Sequence, residues 1–412
     1  HMFDKFNVDF VRANFPALKG DWAYFDNAGG TQIAEQSASK ITDYLLNTNV
    51  QLGASYEISQ LSTEKVALAN VLWAEAINAK SPREIVLGSS TTALLQNLAR
   101  ALTNYFKPGD EIIVSNSDHE ANIGPWLSLH EKGVKVKFWH INNENYRLEL
   151  DTLNELMNEN TKLVAFTHTS NILGTINPVK EIAEFVHSKN AMVCVDGVAY
   201  APHRHIDVKG WDVDFYAFSL YKVYGPHYSL LYGKESILKE LSGINHFFIG
   251  KEELPYKLQP GNVNFELAYG STGILDYFNS VYNEHFSEKN TILNSRLEKV
   301  FQLIADHEEE IVRPLMDFLN SKSNIKIIGE KTSDKNLRVP TVSFIVKGRK
   351  SSEIPLLVDP HKIGIRWGDF YARRLIESLN ISDIDGVVRI SMVHYNTKSE
   401  VEKLIGVLDK II

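Results

Sequence analysis

Hydrophobic residues between about positions 85 and 235 come in short runs rich in β-branched and aromatic side chains, and segments with helical spacing separate these runs. Several runs are apolar on both faces, as in strands that helices cover from both sides. Short strands that alternate with helices are typical of an α/β layer with a mostly parallel sheet. The runs predict strands at residues 84–86, 111–114, 135–138, 163–167, 192–196, 215–219 and 229–232.

The pattern changes towards the end of the chain. From about residue 270 to 320 the apolar spacing is long and helical, and strand-like runs return at residues 325–328 and 341–346. At 412 residues the chain exceeds what one hydrophobic core usually serves. We therefore expect a large domain over residues 15–285 and a smaller α+β domain over residues 286–412, which residues 3–14 join. The lack of a Pro/Gly/Ser-rich linker predicts that the two pack closely.

Charge and cysteine content exclude several classes of protein. The 43 Lys and Arg residues against 51 Asp and Glu residues give a net charge of −8, and no basic stretch could follow a phosphodiester backbone, so we expect no nucleic-acid partner. No segment approaches about 18 uninterrupted apolar residues, so we expect no membrane insertion. The single cysteine, Cys194, lies in an apolar run and excludes an internal disulfide framework, which favours a cytoplasmic location.

Two predicted strands are followed by side chains that could carry chemistry. The strand at 192–196 ends in Asp196, at the sheet edge where α/β proteins place ligands, although an isolated aspartate there is more often a helix cap or a turn residue. The strand at 215–219 runs into Lys222 and a Gly-Pro turn. A lysine just past a buried strand is desolvated and nucleophilic, as Schiff-base chemistry requires, although a solvated loop lysine would be commoner.

Two further motifs follow the strands at 84–86 and 111–114. Thr91 and Thr92 open a predicted helix in the stretch Gly-Ser-Ser-Thr-Thr-Ala, where hydroxyls and free amide groups can bind an anion. His119 follows the other strand and could stack on a flat ring, although a structural histidine fits equally well. Pyridoxal phosphate (PLP) needs a phosphate site, a carboxylate for its ring nitrogen, a stacking group and a lysine. The four motifs together therefore predict a PLP site.

Longer motifs add a resemblance that covers nearly the whole chain. It runs from Tyr-Phe-Asp-Asn-Ala-Gly-Gly at 24–30 to Arg-Ile-Ser-Met-Val-His-Tyr-Asn-Thr at 389–397. Between them lie Asp-His-Glu-Ala-Asn at 118–122, Thr-His-Thr-Ser-Asn-Ile-Leu-Gly-Thr at 167–175, Ala-Pro-His at 201–203 and Ser-Leu-Tyr-Lys at 219–222. This series resembles the class V aminotransferases of PLP fold type I, in the branch of cysteine desulfurases and selenocysteine lyases. The resemblance implies a large domain with a seven-stranded, mostly parallel sheet and a smaller C-terminal domain.

The resemblance also implies roles for individual residues in the cofactor site. Lys222 would bond to PLP and act as the catalytic base, Asp196 would pair with the ring nitrogen, and His119 would stack on the ring. Asn171 would lie near the cofactor hydroxyl or the substrate. Proteins of this fold usually form homodimers with shared sites, so Asn262 would contact the phosphate of the neighbouring subunit. The groups that would hold the phosphate within one subunit are Thr91, Thr92, Ser219 and Tyr221.

The sequence assigns the residues on the substrate side in less detail than those that contact the cofactor. Arg389 falls where the family places the arginine that clamps the substrate α-carboxylate, a planar two-point contact that lysine could not reproduce. Four more residues are candidates to line the far side of the cofactor: Asn27, His203, Arg366 and Tyr371. His203 and His205 lie close in sequence, but their spacing matches no zinc motif, so we expect no metal site.

Two departures limit how far the family's function transfers. The desulfurases carry a persulfide-forming cysteine on the loop near residues 364–371, where this chain has Tyr371 or a near neighbour. The Asp-Gly-Ala-Gln pattern of that branch is here Asp-Gly-Val-Ala at 196–199. The chain therefore looks most like the cysteine-desulfurase-like subgroup, and we do not expect a persulfide-forming desulfurase.

The predicted function is a PLP-dependent C–S lyase that acts by β-elimination on cysteine or a cysteine derivative. An amino-acid epimerase or an aminotransferase would use the same Lys222 and Asp196, and so both stay open as alternatives. An alternative of another class is a non-catalytic protein that binds phosphate or a nucleotide on the Thr91-Thr92 loop, but this loop lacks a Walker or dinucleotide glycine pattern.

Overall fold

The computed structural model describes residues 5–412, so positions 3 and 4 of the predicted small domain lie outside the described residues. The strands are β1 Ala23–Tyr24, β2 Ile85–Gly88, β3 Glu111–Ser115, β4 Lys135–Trp139, β5 Thr161–Thr167, β6 Met192–Asp196, β7 Phe215–Ser219, β8 Ser229–Gly233, β9 Ile325–Ile327, β10 Thr341–Val346, β11 Ile363–Gly364, β12 Arg366–Gly368 and β13 Val387–Ser391. The helices are α1 Val8–Ala13, α2 Glu35–Asn47, α3 Glu57–Ala76, α4 Thr91–Leu102, α5 Gly124–Leu127, α6 Leu150–Leu156, α7 Val179–Ser188, α8 Val208–Trp211, α9 Glu235–Leu238, α10 Phe265–His285, α11 Leu293–Ser321, α12 Glu353–Val358, α13 Arg373–Ser378 and α14 Lys398–Ile411.

The large sheet confirms the predicted α/β layer. It has seven strands in the order β2-β8-β7-β6-β5-β3-β4, and each matches one of the predicted strands. The strands from β7 to β4 pair in parallel, whereas β8 pairs antiparallel with both β7 and β2. All of them except the edge strand β4 are buried along most of their length, and apolar clusters pack on both faces. Burial on both faces explains why these strands appear as continuous apolar runs in the sequence.

A second sheet of four strands, in the order β12-β13-β10-β9, lies in the C-terminal part of the chain. Its strands pair antiparallel, and α11 and α14 cover its apolar face. Ala23 and Phe25 also lie in this second core, because β1 pairs with β11. This short N-terminal stretch therefore packs with the C-terminal sheet, and the boundary at residues 285 and 286 stays a prediction.

Two long helices follow the large sheet, where the sequence predicted helical spacing. Asn264 caps α10 by accepting a hydrogen bond from the backbone N–H of Leu267 at 2.9 Å. Helix α10 is buried along much of its length and packs on α2 and α3, and α11 joins this layer to the second sheet. Among residues 5–412, no helix combines the length and the apolar character that crossing a membrane demands.

The parallel strands determine where polar side chains gather. Strands β3, β5, β6 and β7 run in the same direction, so their carboxyl ends share one edge of the sheet. That edge carries Thr167 and Asp196 in directly paired positions, and Ser219 ends the next strand. The polar residues that the sequence singled out are therefore brought to one edge.

Candidate active site

Asp196 ends β6 and is buried. Its Oδ1 accepts a hydrogen bond from the backbone N–H of Val198 at 2.9 Å. Burial raises the pKa of Asp196 to about 6, and the hydrogen bond from Val198 and the charge of Lys222 oppose this rise. A buried carboxylate gains most from a cationic partner, and a protonated ring nitrogen is such a partner.

Lys222 lies on a short 3-10 turn after β7 and is also buried. Burial and the charge of Arg389 lower the pKa of Lys222 to about 8, while Asp196 and Asp26 oppose the shift. A fraction of this lysine is therefore unprotonated at neutral pH. An unprotonated lysine in a desolvated position is the form that attacks carbonyl carbons and accepts protons.

His119 follows β3 and presents a neutral ring. Its Nδ1 accepts a hydrogen bond from the backbone N–H of Ala121 at 3.0 Å. Burial and the charge of Lys222 lower the pKa of His119 to about 4. With Nδ1 acting as acceptor, the single proton of the neutral imidazole lies on Nε2. The ring can thus stack on an aromatic group without adding positive charge.

The N-terminus of α4 forms an anion site. Ser90 is its N-cap, and the Ser90 hydroxyl accepts a hydrogen bond from the backbone N–H of Ala93 at 3.0 Å. Thr91 Oγ1 lies 2.8 Å from Ser219 Oγ, so the helix and the end of β7 contribute neighbouring hydroxyls. Unpaired amide groups and the helix dipole favour a phosphate at such a position.

One cavity at the sheet edge brings these elements together. Thr169 Oγ1 on its wall is buried and has no hydrogen-bond partner among residues 5–412. An unpaired buried hydroxyl needs a partner, and on the wall of a cavity a bound ligand can supply it. Eight of the nine predicted cofactor residues line this cavity: Lys222, Asp196, His119, Thr91, Thr92, Asn171, Ser219 and Tyr221.

Arg389 lies beside this cavity on β13, with 2 % of its surface exposed. Its Nη1 donates to the backbone O of Asn171 at 3.3 Å, and its Nη2 donates to Asp26 Oδ1 at 3.4 Å. The ring of Phe370 lies 3.6 Å from the guanidinium carbon. Within the described residues, Nε of Arg389 has no partner. The guanidinium therefore has donors left for a carboxylate.

Arg366 adds a second guanidinium beside the first. Its Nε lies 3.8 Å from Asp26 Oδ2, and its side chain is more than half exposed. Asp26 thus contacts both arginines, and its pKa is raised by burial although both arginines oppose the rise. Two guanidiniums around one carboxylate leave a net positive charge, which favours anionic substrates.

Tyr371 lies on the loop of residues 369–372, between β12 and α13, and is 73 % exposed. Its ring lies 5.3 Å from that of His119, with 32° between the two planes. The preceding residue, Phe370, turns inward onto Arg389. The loop therefore covers the cavity mouth with one aromatic side chain and the arginine with the other.

The chain was compared with models of known protein families. The family model described as aminotransferase class-V matches residues 23–304 and 298–404. This chain belongs to the aminotransferase class-V family. The family resemblance that the sequence indicated is thereby confirmed.

Relatives and solved structures agree with this membership. The chain is 44% identical over 416 residues to the aminotransferase-like protein FGM3 of Gibberella zeae, covering 99% of each chain. It is 33% identical over 417 residues to the cysteine desulfurase-like protein ustD of Aspergillus flavus, covering 98% of this chain and 91% of that one. A cysteine desulfurase from Thermococcus onnurineus NA1 superposes with a TM-score of 0.86 at 25% identity, covering 98% of both chains. The chain is thus a PLP-dependent enzyme of fold type I related to the cysteine desulfurases.

The residues of this aminotransferase class-V chain fit PLP. The cavity offers an anion site at the N-terminus of α4, a neutral ring at His119, a buried carboxylate at Asp196 and a buried amine at Lys222. The unpaired hydroxyl of Thr169 provides a further polar contact. PLP requires these groups together, and bound PLP supplies an acceptor for the electrons released when a bond to the substrate Cα breaks.

Besides Arg389, Arg366 and Tyr371, which lie beside the cavity, three more predicted residues do not line it. Asn27 is buried, and its Nδ2 donates to the backbone O of Tyr24 at 2.8 Å and of Ser391 at 2.9 Å. His203 Nδ1 lies 2.7 Å from Glu308 Oε2 in a buried pair. Asn262 is exposed on a turn before α10. The structure thus gives Asn27 and His203 structural contacts, and only Asn262 is free to meet a neighbouring subunit.

The sequence did not single out several residues that the structure brings to the site. Thr169 lies inside a motif that was recognised for Asn171, and Asp26 lies beside Asn27 in another. Phe370 and Glu120 each lie next to a predicted residue. Proximity in sequence to recognised motifs was the available signal for all four, but their contacts span distant parts of the chain.

Proposed function

We propose that this enzyme is a lyase that cleaves the C–S bond of cysteine or a cysteine derivative by β-elimination. In the net reaction an S-substituted cysteine and water give a thiol, pyruvate and ammonium. The Cα–H and Cβ–S bonds break, and sulfur leaves with the electron pair of its bond to carbon. Water then replaces nitrogen at Cα, so that the Cα–N bond breaks and ammonium and pyruvate are released. The observation that carries the proposal is that Cys194, the single cysteine, is fully buried in β6 while Tyr371 lies on the loop at the cavity mouth.

Cys194 is unsuited to carry a persulfide. Its Sγ contacts Asn122 Oδ1 at 3.9 Å, and burial together with the neighbouring carboxylate of Asp196 raises the pKa of the Cys194 thiol. A thiol must be ionised and accessible to accept sulfur. The enzyme therefore releases its sulfur product to solution and does not store it on the protein.

Lys222 is the proposed base. Lys222 would bond to PLP in the resting enzyme, and its Nζ would take the Cα proton of the substrate. Its lowered pKa matches that task, since a base with a pKa near the working pH transfers protons well in both directions. Asp196 would hold a proton on the ring nitrogen of PLP, and the neutral ring of His119, with its proton on Nε2, would stack on the cofactor.

Arg389 is the proposed clamp for the substrate α-carboxylate. Its buried guanidinium keeps donors free, and its central carbon lies 3.6 Å from the centre of the Phe370 ring. Arg366 lies beside it and contributes charge, and Tyr371 at the mouth faces the leaving group. The contacts of Asn27 and His203 support the site indirectly in this proposal.

A homodimer with shared sites is part of the proposal. Asn262 has a left-handed backbone with φ of 71° and lies exposed between Gly261 and Val263. The backbone N–H of Asn262 donates to the backbone O of Gln259 at 3.0 Å, and that of Val263 donates to Asn262 Oδ1 at 2.8 Å. The side-chain Nδ2 of Asn262 is therefore the donor proposed to bond the phosphate held by a neighbouring subunit. A cytoplasmic location, expected from the single cysteine, completes the proposal.

The test is product analysis with PLP-loaded enzyme. Cysteine and a series of S-alkyl and S-aryl cysteines are supplied, and pyruvate and free thiol are measured. We expect equal amounts of both from at least one conjugate, no product from Lys222→Ala, and full activity from Cys194→Ala as the matched control. Absence of pyruvate and thiol across the series would rule out the lyase.

Two other outcomes identify the alternatives that share Lys222 and Asp196. Deuterium entering Cα from solvent without loss of the β substituent indicates an epimerase. A keto acid formed together with pyridoxamine phosphate indicates an aminotransferase. Sulfur recovered as a persulfide on Cys194 would contradict the proposal directly.

A further inference from the structure

We propose that Glu120 and Arg374 are positioning residues that latch the 369–372 loop to the cavity wall, so that Phe370 stays on Arg389 and Tyr371 stays on His119. The latch serves the lyase reaction proposed above, and the inference rests on that proposed function. Neither latch residue is assigned a contact with substrate or PLP. The latch therefore acts through the residues that it holds.

The first observation is the backbone of the loop. Phe370 and Tyr371 both have left-handed conformations, with φ of 52° and 62°. Bulky side chains rarely adopt this region, and two in succession persist only where surrounding contacts hold them. Such residues cluster at functional sites. The loop therefore needs partners outside itself.

Those partners are two segments of the cavity wall. Asn171 Nδ2 donates to the backbone O of Phe370 at 2.9 Å, and the backbone N–H of Glu120 donates to the backbone O of Tyr371 at 2.8 Å. Both accepting carbonyls belong to the left-handed residues. Both donors neighbour the proposed PLP contacts, since Asn171 lines the cavity and Glu120 follows His119. The strained loop is thus bonded to the cofactor side of the molecule.

The Glu120 side chain makes the second half of the latch. Arg374 Nε donates to Glu120 Oε2 at 3.0 Å, and Arg374 Nη2 donates to Glu120 Oε1 at 2.9 Å. A two-point pair of this kind fixes orientation as well as distance. Arg374 lies in the first turn of α13, directly after the loop. Glu120 therefore binds the loop through its backbone and the following helix through its side chain.

Release of the latch has a defined consequence. Phe370 contacts the guanidinium of Arg389 at 3.6 Å, so movement of the loop removes the surface that holds the guanidinium plane. The Tyr371 ring would also leave His119. We expect the substrate carboxylate to bind more weakly, with little change in proton transfer at Lys222, because Lys222 lies on a different element.

The neighbouring arginine provides a matched control. Arg373 has its Nε 3.0 Å from Asp369 Oδ2, an ion pair four residues apart on the same stretch of chain. Asp369 belongs to the loop itself, so Arg373→Gln removes one positive charge and an exposed contact between the loop and the helix turn, but it leaves the links to Asn171 and Glu120 in place. Arg374→Gln removes the latch, and Arg374→Lys keeps the charge but loses the two-point geometry.

Two measurements on PLP-loaded enzyme test the latch without product formation. The first is hydrogen–deuterium exchange of a peptide covering residues 369–374, compared with exchange in the large sheet. The second is the affinity for 2-methylalanine, an amino acid without a Cα proton, read from the visible absorbance of the cofactor. Because neither needs turnover, both report on the latch even where the lyase reaction fails.

In Arg374→Gln we expect faster exchange in the loop, unchanged exchange in the sheet and about tenfold weaker binding, as for loss of a charged hydrogen-bonded pair. Arg374→Lys should lie between wild type and Arg374→Gln, and Arg373→Gln should match wild type. With a productive substrate, KM should rise while kcat stays within about twofold.

Exchanging the charges, with Glu120→Arg and Arg374→Glu together, should restore part of the binding. Equal behaviour of Arg374→Gln and Arg373→Gln in both measurements would overturn the proposal, as would a charge exchange without any recovery.

Discussion

Arg366 and Arg389 lie directly opposite each other on the antiparallel strands β12 and β13. Like charges in such positions destabilise a sheet. Asp26 contacts both side chains, at 3.8 Å and 3.4 Å, but one carboxylate neutralises only one of the two charges. The remaining charge has no evident structural benefit, and an arrangement that breaks a local stability rule is expected at a functional site. The pair is explained if it receives the carboxylate of a substrate.

Arg389→Lys should strongly lower the kcat/KM of the enzyme. Lysine keeps the charge but has no planar fork, and its stem cannot lie on Phe370 as the guanidinium does. We expect kcat/KM to fall about 100-fold, which corresponds to the loss of a two-point charged contact of about 3 kcal/mol. Steady-state kinetics with the best conjugate measure this, and Arg373→Lys, at an exposed position of α13, is the control. A loss below about threefold would mean that another residue binds the α-carboxylate.

Asp196→Asn should stabilise the cofactor-free protein at alkaline pH. The pKa of Asp196 rises from its ordinary value of 3.8 to about 6, so the folded protein binds this proton more tightly than the unfolded chain. The stability from this group is therefore present in full below about pH 4 and is lost as pH rises through 6. The shift corresponds to about 3 kcal/mol as an upper estimate.

Denaturant unfolding without PLP at pH 4.5 and pH 8 checks this sign. We expect wild type to be less stable than Asp196→Asn at pH 8 and the gap to narrow at pH 4.5. The same variant should lose activity, because asparagine cannot hold a proton on the ring nitrogen. A gap that is equal at both pH values would show that ionisation of Asp196 does not set the difference.

The sequence predicted the large sheet well but did not predict the contacts on the substrate side, for a physical reason. All seven strands of that sheet lie within two residues of the predicted bounds, because burial on both faces leaves continuous apolar runs. Contacts on the substrate side join distant parts of the chain. Asp26 and Arg389 are 363 positions apart, and Glu120 and Arg374 are 254 apart. No local pattern encodes such pairs, and β1, β11 and β12 are too short to show a period.

Cys194→Ala should leave activity unchanged, and thiol-alkylating reagents should not inhibit the native enzyme. The thiol is buried and its pKa is raised, so little thiolate forms and reagents do not reach it. Activity before and after incubation with iodoacetamide measures this, and Lys222→Ala confirms that the assay reports on the site. Rapid inactivation that Cys194→Ala abolishes would show that the reagent reaches an ionised thiol, and loss of activity in Cys194→Ala itself would show that the thiol takes part in turnover.

Thr169→Val should weaken PLP binding without destabilising the cofactor-free protein. The hydroxyl of Thr169 is buried without a partner among residues 5–412, so replacing it with a methyl group removes no hydrogen bond from the cofactor-free protein. We expect the stability of that form to be unchanged or slightly higher, and PLP to bind about tenfold more weakly if the hydroxyl contacts it.

Thr167, two residues earlier in the chain, provides the control for this prediction. Thr167 Oγ1 donates to the backbone O of Thr169 at 2.7 Å, so Thr167→Val leaves that buried carbonyl without this donor. That variant should lose about 1–3 kcal/mol of stability in the cofactor-free form, whereas Thr169→Val should not. Thermal unfolding with and without PLP measures both effects. Equal losses in the two variants before PLP is added would mean that the Thr169 hydroxyl serves the fold, and the cavity would lose the unpaired group that indicated a ligand.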